Sequence, residues 1–363
     1  MRLGVSAAVV EGRLLAGDVE IVDGDIAAVG VSGAGQGIAL PGFIDIHTHG
    51  YDGVDFADAG PEEMRHASSA LTATGVTGFQ PTLLTLEESE LAAALDRHRE
   101  ASYDGARFLG THLEGPFLSP AHPGAHDPAL LADPDIELCR RLLAAGSVGQ
   151  MTLAPELPGA GELIEALLEA GCTVALGHSN ASAGVAHEAF DSGARILTHV
   201  FNASRPFLHR DPGIVGAALT RGDVFITAVV DNVHLSKEAT LLAMGVGPDR
   251  FVVVTDAMAG SGRVDGTYTL GNRRVTVRGG EARLADGTIA SSVLTMDAAL
   301  RNLVDLGWDI EQASSAVART PAAAIGRTDL GVLAVGRTAD VVVVDDDLCV
   351  VATMVAGEEA YRR

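Results

Sequence analysis

The sequence predicts an α/β protein: a (β/α)8 TIM-type barrel with a small β-sandwich built from both chain termini. Three observations lead there. From Gly42 to Met258, eight short β-branched runs alternate with longer amphipathic stretches rich in Ala, Leu and Glu, the pattern of parallel βα units. Residues 1–40 and 329–363 instead carry short strands broken by Gly and Asp turns, with no helical period, so the two ends pair into one domain. Most of the eight runs also end in His, Glu or Asp, and barrels of this type keep their chemistry at the C-terminal ends of the strands.

In chain order the candidate strands are FIDIHTH, VTGFQPTLL, RFLGTHLE, GQMTLAPE, TVALGHS, RILTHVFN, VFITAVVDNVH and FVVVTDAM. The segment 265–290 reads as antiparallel hairpins inserted after the eighth strand, and LTMDAALRNLVDLG after it as a helix. The expected domains are therefore 1–40 with 329–363, and a barrel over 41–328. No internal repeat beyond the βα alternation and no low-complexity tract is present.

A chain of 363 residues with 47% hydrophobic content can bury a sizeable core. Its formal net charge of -23 argues against nucleic acid and anionic membrane as partners, since both would be repelled. Cys139, Cys172 and Cys349 show no paired spacing, so neither a disulfide framework nor a thiolate zinc site is expected, and a reducing, cytoplasmic setting fits. Glu11, Arg13 and the Asp23-Gly24 turn interrupt the N-terminal apolar run well short of a signal peptide or membrane span.

Side chains alternate along a strand, so His47 and His49 share a face with Phe43 and Asp45. The third run ends in His112 and Glu114, the fifth in His178, the sixth in His199, the seventh in Asp231 and His234, and the eighth in Asp256. A lone histidine at a strand end is usually a hydrogen-bonded structural residue. Several imidazoles and carboxylates converging on one rim would be costly to bury unpaired, and together they form a ligand set for a divalent metal such as zinc, iron or manganese. A bound divalent ion lowers the pKa of water from about 15.7 towards 7, which makes hydrolysis the natural chemistry. Asp256 could act in turn as base and acid. No GxSxG motif or suitably placed cysteine competes as nucleophile.

The blocks PGFIDIHTHG, THLEGPFLSPAHPGAHDP, LGHSNA, THVFNAS, DPGIVGAAL, VTDAM and SSVLTMDAAL resemble those of the N-acetylglucosamine-6-phosphate deacetylase family of the amidohydrolase superfamily, over nearly the whole chain. The resemblance implies one or two divalent metals and removal of acetate from an amino-sugar phosphate, in amino-sugar catabolism or recycling. It also implies a homodimer. Carried over, Glu114, His178 and His199 match the metal ligands, Asp256 the catalytic aspartate, and His47 with His49 the HxH used for a second metal in some members. His126 would polarise the acetyl carbonyl, Asn202 and Ala203 would offer donors to substrate, His234 would meet the sugar phosphate, and Arg210 would reach phosphate from the neighbouring subunit.

Two blocks depart from the family pattern: Ser204 ends FNAS where FNAM is usual, and Asn232 stands in DNVH where DGxH is usual. The lysine or arginine often seen before GAH is replaced by His122 and Pro123. These changes leave open another amidohydrolase activity, on a different N-acyl sugar, an N-acyl amino acid or a cyclic amide; a non-catalytic scaffold is the remote alternative. His66, His98 and His187 fall among charged helical residues and are expected to be solvated, His112 is expected behind the ligands, and His122 and His209 are left without a role.

Overall fold

The computed structural model describes every residue of the chain except Ala34. Eight parallel strands form the barrel: Phe43–Thr48 (β1), Val76–Leu83 (β2), Thr111–Glu114 (β3), Val148–Leu153 (β4), Thr173–Leu176 (β5), Ile196–Leu197 (β6), Phe225–Ala228 (β7) and Phe251–Val253 (β8). Each pairs with the next, from β1 on β2 through to β7 on β8. The seam between β8 and β1 closes just beyond the strand ends, where Asp256 N–H donates to the His47 carbonyl at 2.8 Å and His49 N–H to the Ala257 carbonyl at 2.7 Å. The barrel thus closes through the residues expected to carry the chemistry.

A helix follows each strand, among them Ile136–Ala145 after β3, which starts where Asp135 accepts from the backbone N–H of Glu137 and Leu138. The barrel core is fully buried, with Phe79, Leu113, Met151, Ile196 and Val252 among its side chains.

The termini build a six-stranded sheet in the order Arg13–Ala16, Ala7–Val10, Ile38–Pro41, Val341–Val344, Val350–Val355, Glu358–Arg362, beside a hairpin of Asp18–Val22 and Asp25–Val31. Val341 and Val343 join Ile21, Ile26 and Met354 in the core of this β-sandwich, while Val342 and Val344 join the barrel core. Alternation on a strand buried on both faces explains why this stretch reads as four consecutive valines.

The segment after β8 forms the expected antiparallel hairpins: Gly266–Leu270 (β9), Arg273–Arg278 (β10), Glu281–Arg283 (β11) and Ile289–Ser291 (β12). Its own small core packs Leu270, Val275, Val277 and Ala282 on Leu84, Ala125 and Met258 of the barrel rim. Asp55 accepts from Gly271 N–H at 2.7 Å, and Arg273 lies 3.6 Å from Asp127, so the loop after β1 and the loop that carries His126 are each tied to this sheet.

One expectation is overturned: His98 is not solvated but completely buried, with Leu91, Ala94 and Leu95 on the inner face of helix Glu88–Glu100. That 3.6-residue spacing was present in the sequence but masked by the neighbouring Arg97 and Arg99. The Phe56 carbonyl accepts from Nε2 at 2.8 Å, which leaves Nδ1 to accept from the Thr111 hydroxyl at 2.9 Å. Burial lowers the His98 pKa to about 4. The unfolded chain therefore takes up this proton first as pH falls, and stability present above pH 6.5 drains away down to about pH 4, by about 3 kcal/mol in all. His98→Gln should flatten that part of the profile in urea unfolding across this window; parallel profiles for variant and parent would refute the assignment.

Candidate metal centre

β1 and β3 place His47 and Glu114 directly, whereas His49, His178, His199 and Asp256 stand just past the ends of β1, β5, β6 and β8. These last three have φ of +48°, +27° and +49°, in the left-handed region that non-glycine residues avoid. Strain of this kind, at about 1–3 kcal/mol per residue, persists only where the surroundings enforce it, and it clusters at functional sites.

The six side chains meet around one carboxylate. Glu114 Oε1 lies 3.0 Å from His199 Nε2, 3.1 Å from His178 Nε2 and 3.6 Å from His47 Nε2; Oε2 lies 3.3 Å from His126 Nε2 and 3.4 Å from His49 Nε2. Asp256 Oδ1 sits 3.3 Å from His49 and 3.6 Å from His47, and its Oδ2 sits 3.6 Å from His234 Nε2. Glu114 is 4% exposed and Asp256 7%, so solvent screens little of this charge.

A hydrogen bond on the outer side of one ring fixes its tautomer. His178 Nδ1 donates to the His122 carbonyl at 3.0 Å, so in the neutral ring the Nε2 lone pair points at Glu114 Oε1. Two acceptors at 3.1 Å repel unless a cation lies between them. Nδ1 of His49 and of His199 are buried with no partner among the described residues. The ligand atoms of His47, His49 and Glu114, and those of Glu114, His178 and His199, each lie within 4.8 Å of one another. Imidazole and carboxylate in these numbers fit a divalent ion, and the sharing of Glu114 gives room for a second.

Electrostatics agrees. Burial alone would push the Glu114 carboxyl up, but His47 and His178 with the other imidazoles hold it well below the usual range. Asp256 is likewise lowered against burial by His49 and His47. Burial opposes charge on His49, yet bonds to Asp256 and Glu114 raise it to about 10. His126 differs: burial lowers it to about 4, and Thr85 N–H donates to its Nδ1 at 3.1 Å, so the neutral ring presents Nε2–H to the site.

Above the centre lies a cavity of about 380 Å³ lined by His49, Glu114, His126, His178, His199, Asn202, Ala203, His234 and Asp256. His47 lies beneath it, 1% exposed. His234 is held by Asp231 through Nδ1 at 2.7 Å. Arg210 does not line the cavity and sits on the exposed turn after Phe207 and Leu208. His112 bonds Thr82 and Thr152 with its ring 4.7 Å from that of His47, behind the ligand sets as expected. His122 acts through its carbonyl, and His209 is exposed.

Sequence reasoning missed two kinds of residue. Asp45, fully buried and raised by burial to about 7, accepts from the Thr255 hydroxyl at 2.5 Å and from the backbone N–H of His47 and Thr255, which binds β1 to the end of β8. Its parity with His47 was the available signal. Arg283, Thr288, Ile289 and Ala290 bring the inserted sheet into the cavity wall, and no motif marked them. The two departures from the family pattern stand outside the cavity lining. Ser204 donates to the Asn202 carbonyl at 3.0 Å, and Asn232 has φ +60°, a position for glycine that asparagine tolerates best among the others.

The amidohydrolase family model matches residues 38–360. The chain belongs to the amidohydrolase family. Among curated amidohydrolases, the N-acetylglucosamine-6-phosphate deacetylase of Bacillus subtilis is 37% identical over 89% of this chain and 85% of its own. The N-acetylgalactosamine-6-phosphate deacetylase of Escherichia coli is 36% identical over 96% of both. The N-acetyl-D-glucosamine-6-phosphate deacetylase of Mycobacterium smegmatis, solved as a mutant in complex with N-acetyl-D-glucosamine-6-phosphate, superposes with a TM-score of 0.95 at 35% identity and 99% coverage of both chains. This amidohydrolase is thus a metal-dependent hydrolase, and no helix among its described residues is long and apolar enough to cross a membrane.

Two outcomes test the centre. With His49 lifted to about 10, the stripped protein holds a proton on this ring at neutral pH, so loading zinc should release about one proton and bind more weakly as pH falls. Calorimetry in buffers of different ionisation enthalpy reads this directly; zinc uptake without proton release would contradict it. Gly124 has φ +57°, and a Cβ there would lie 2.9 Å from His178 Cε1. Gly124→Ala should therefore lower metal affinity about tenfold, while Gly161→Ala, where a Cβ meets open space, should not.

Proposed function

We propose that this chain hydrolyses the acetamide of N-acetylglucosamine-6-phosphate, or a close N-acetylhexosamine phosphate, to acetate and the amino-sugar phosphate. The observation that carries the reading is the pairing of one buried carboxylate, Glu114, with His178 and His199 on one side and Asp256 and His126 around the same cavity. Relatives named for this reaction, at 34–38% identity over most of the chain, support the substrate class.

In this reading Glu114, His178 and His199 hold one divalent ion, zinc, iron or manganese, and His47 with His49 a second. Such an ion supplies Lewis acidity to the acyl oxygen and acidifies the attacking water. His126 donates Nε2–H to the acyl oxygen and stays neutral because burial holds its pKa near 4. Asp256, kept ionised by its histidine neighbours, takes the proton from water and returns it to the nitrogen as the C–N bond breaks. Asn202 and Ala203 line the sugar side, and His234, fixed by Asp231, faces the same space.

Residues 41–328 form the catalytic unit in this reading, and 1–40 with 329–363 a β-sandwich with its own buried cluster. A cytoplasmic homodimer completes it, in which Arg210 on its exposed turn approaches a neighbouring copy's site; the three free cysteines suit the compartment. The alternative of a different N-acyl substrate loses its main motive, since Ser204 and Asn232 stand outside the cavity lining.

Acetate release should be measured from N-acetylglucosamine-6-phosphate, its galacto epimer and the unphosphorylated sugar, with protein stripped and reloaded with each metal. Both epimers are included because relatives named for each are equally similar. Metal-dependent turnover favouring a phosphosugar is expected, with Asp256→Asn reducing kcat by about 100-fold or more. A folded, metal-loaded enzyme that releases no acetate from any of them rules the reading out.

A further inference from the structure

Resting on the reading in which His47 and His49 hold a second ion, we infer that His112 is the positioning residue for that half of the centre. It is fully buried beneath the ligands and does not line the cavity. The interior layers of such barrels are normally filled by Val, Ile and Leu. Here the layer under the centre carries Thr82 on β2, His112 on β3, Thr152 on β4 and Thr198 just past β6, each at most 1% exposed. Burying a hydroxyl costs free energy unless it is hydrogen-bonded, so three of them grouped around one imidazole point to a use for their bonds.

Those bonds form one chain with one direction. Thr198 Oγ1 has a single partner among the described residues, Thr152 Oγ1 at 2.9 Å, so its hydroxyl donates there. The Thr152 hydroxyl is then left to donate to His112 Nε2 at 2.8 Å. An accepting Nε2 makes the ring neutral with its proton on Nδ1, which donates to Thr82 Oγ1 at 3.3 Å, and the Thr82 hydroxyl donates in turn to the Gln80 carbonyl at 3.3 Å. Every donor is used. The opposite direction strands the buried Thr198 hydroxyl without an acceptor.

Held at both nitrogens, the His112 ring cannot turn, and it meets His47 edge to face with centroids 4.7 Å apart and planes at 87°. Thr82 carries the same constraint to the backbone, because its oxygen also accepts at 3.0 Å from the N–H of Thr48, the residue between His47 and His49. Ring contact and backbone contact thus converge on the His47–His49 pair. The other ligand set is anchored elsewhere: His178 Nδ1 donates to the His122 carbonyl, and His199 N–H donates to the Thr227 hydroxyl at 2.7 Å.

Metal binding tests this without reference to turnover. Stripped protein is titrated with Mn²⁺, the bound ions are counted, and the magnetic coupling of a manganese pair is read by electron paramagnetic resonance. The parent should bind two ions. His112→Gln keeps an acceptor towards Thr152 but removes the ring; it should weaken the second ion about ten- to a hundredfold and the first by no more than about threefold, with the coupled-pair signal lost accordingly. Thr152→Val fills the same space and is bonded to neither His47 nor His49, yet it should weaken the second ion in the same selective way by a smaller factor. Neutron diffraction from crystals of the parent should place the His112 proton on Nδ1. Equal weakening of both ions, weakening of neither, a parent that binds one ion only, or a His112 proton on Nε2 would overturn the assignment, without bearing on the deacetylase reading, which acetate release tests separately. Selective loss of the second ion in a protein whose parent releases no acetate would sustain the assignment and reject the deacetylase reading.

Discussion

One buried carboxylate with five imidazole nitrogens within 3.6 Å constrains everything else in this protein. Burying Glu114 and Asp256 beside so many rings costs several kcal/mol per unpaired charge unless the charges are mutually satisfied. At least one ring, that of His178, is held by the His122 carbonyl with its lone pair turned inward, so the inner space is complementary to a cation. The outer hydrogen bonds matter as much as the ligands, since they decide which nitrogen is free.

The fold answers that constraint with rigidity. Five strands, β1, β3, β5, β6 and β8, contribute to the cluster, and only His47 and His49 come from the same one. The barrel seam runs through the same place, with His47 and Asp256 sharing a backbone hydrogen bond and Asp45 clamping Thr255. A displacement of β8 against β1 would move a metal-facing histidine and the proposed proton carrier together. The left-handed backbone at His178, His199 and Asp256 is tolerated because strand pairing fixes one side of each turn and ring contacts fix the other.

The inserted sheet and the terminal sheet play different parts. The terminal β-sandwich packs on the barrel through Val342 and Val344, far from the cavity lining, and secures both chain ends. The insert packs on Leu84, Ala125 and Met258 at the rim and forms one wall of the cavity. The His and carboxylate cluster sits at the strand ends and the added sheet supplies a wall of the same cavity, so a stiff scaffold holds the cluster while a hairpin layer shapes the space above it.

By itself the sequence determined the eight strands, the split terminal domain and the convergent ligand set. Those follow from local patterns: β-branched runs have a period of two, and a histidine or carboxylate ending a barrel strand must face the same mouth as its counterparts. Only the tertiary structure decided the rest. His98 looked solvated because its charged sequence neighbours point away while its own ring closes on Phe56 and Thr111 from other elements. The His122 carbonyl carries no side-chain signal at all. Arg283 reads as one more arginine in an alternating hairpin, and it becomes a cavity residue only when folding sets a sheet from residues 266–291 against a rim built by residues 84, 125 and 258. Contacts between groups so far apart in the chain depend on how elements pack, and no short stretch of sequence encodes packing.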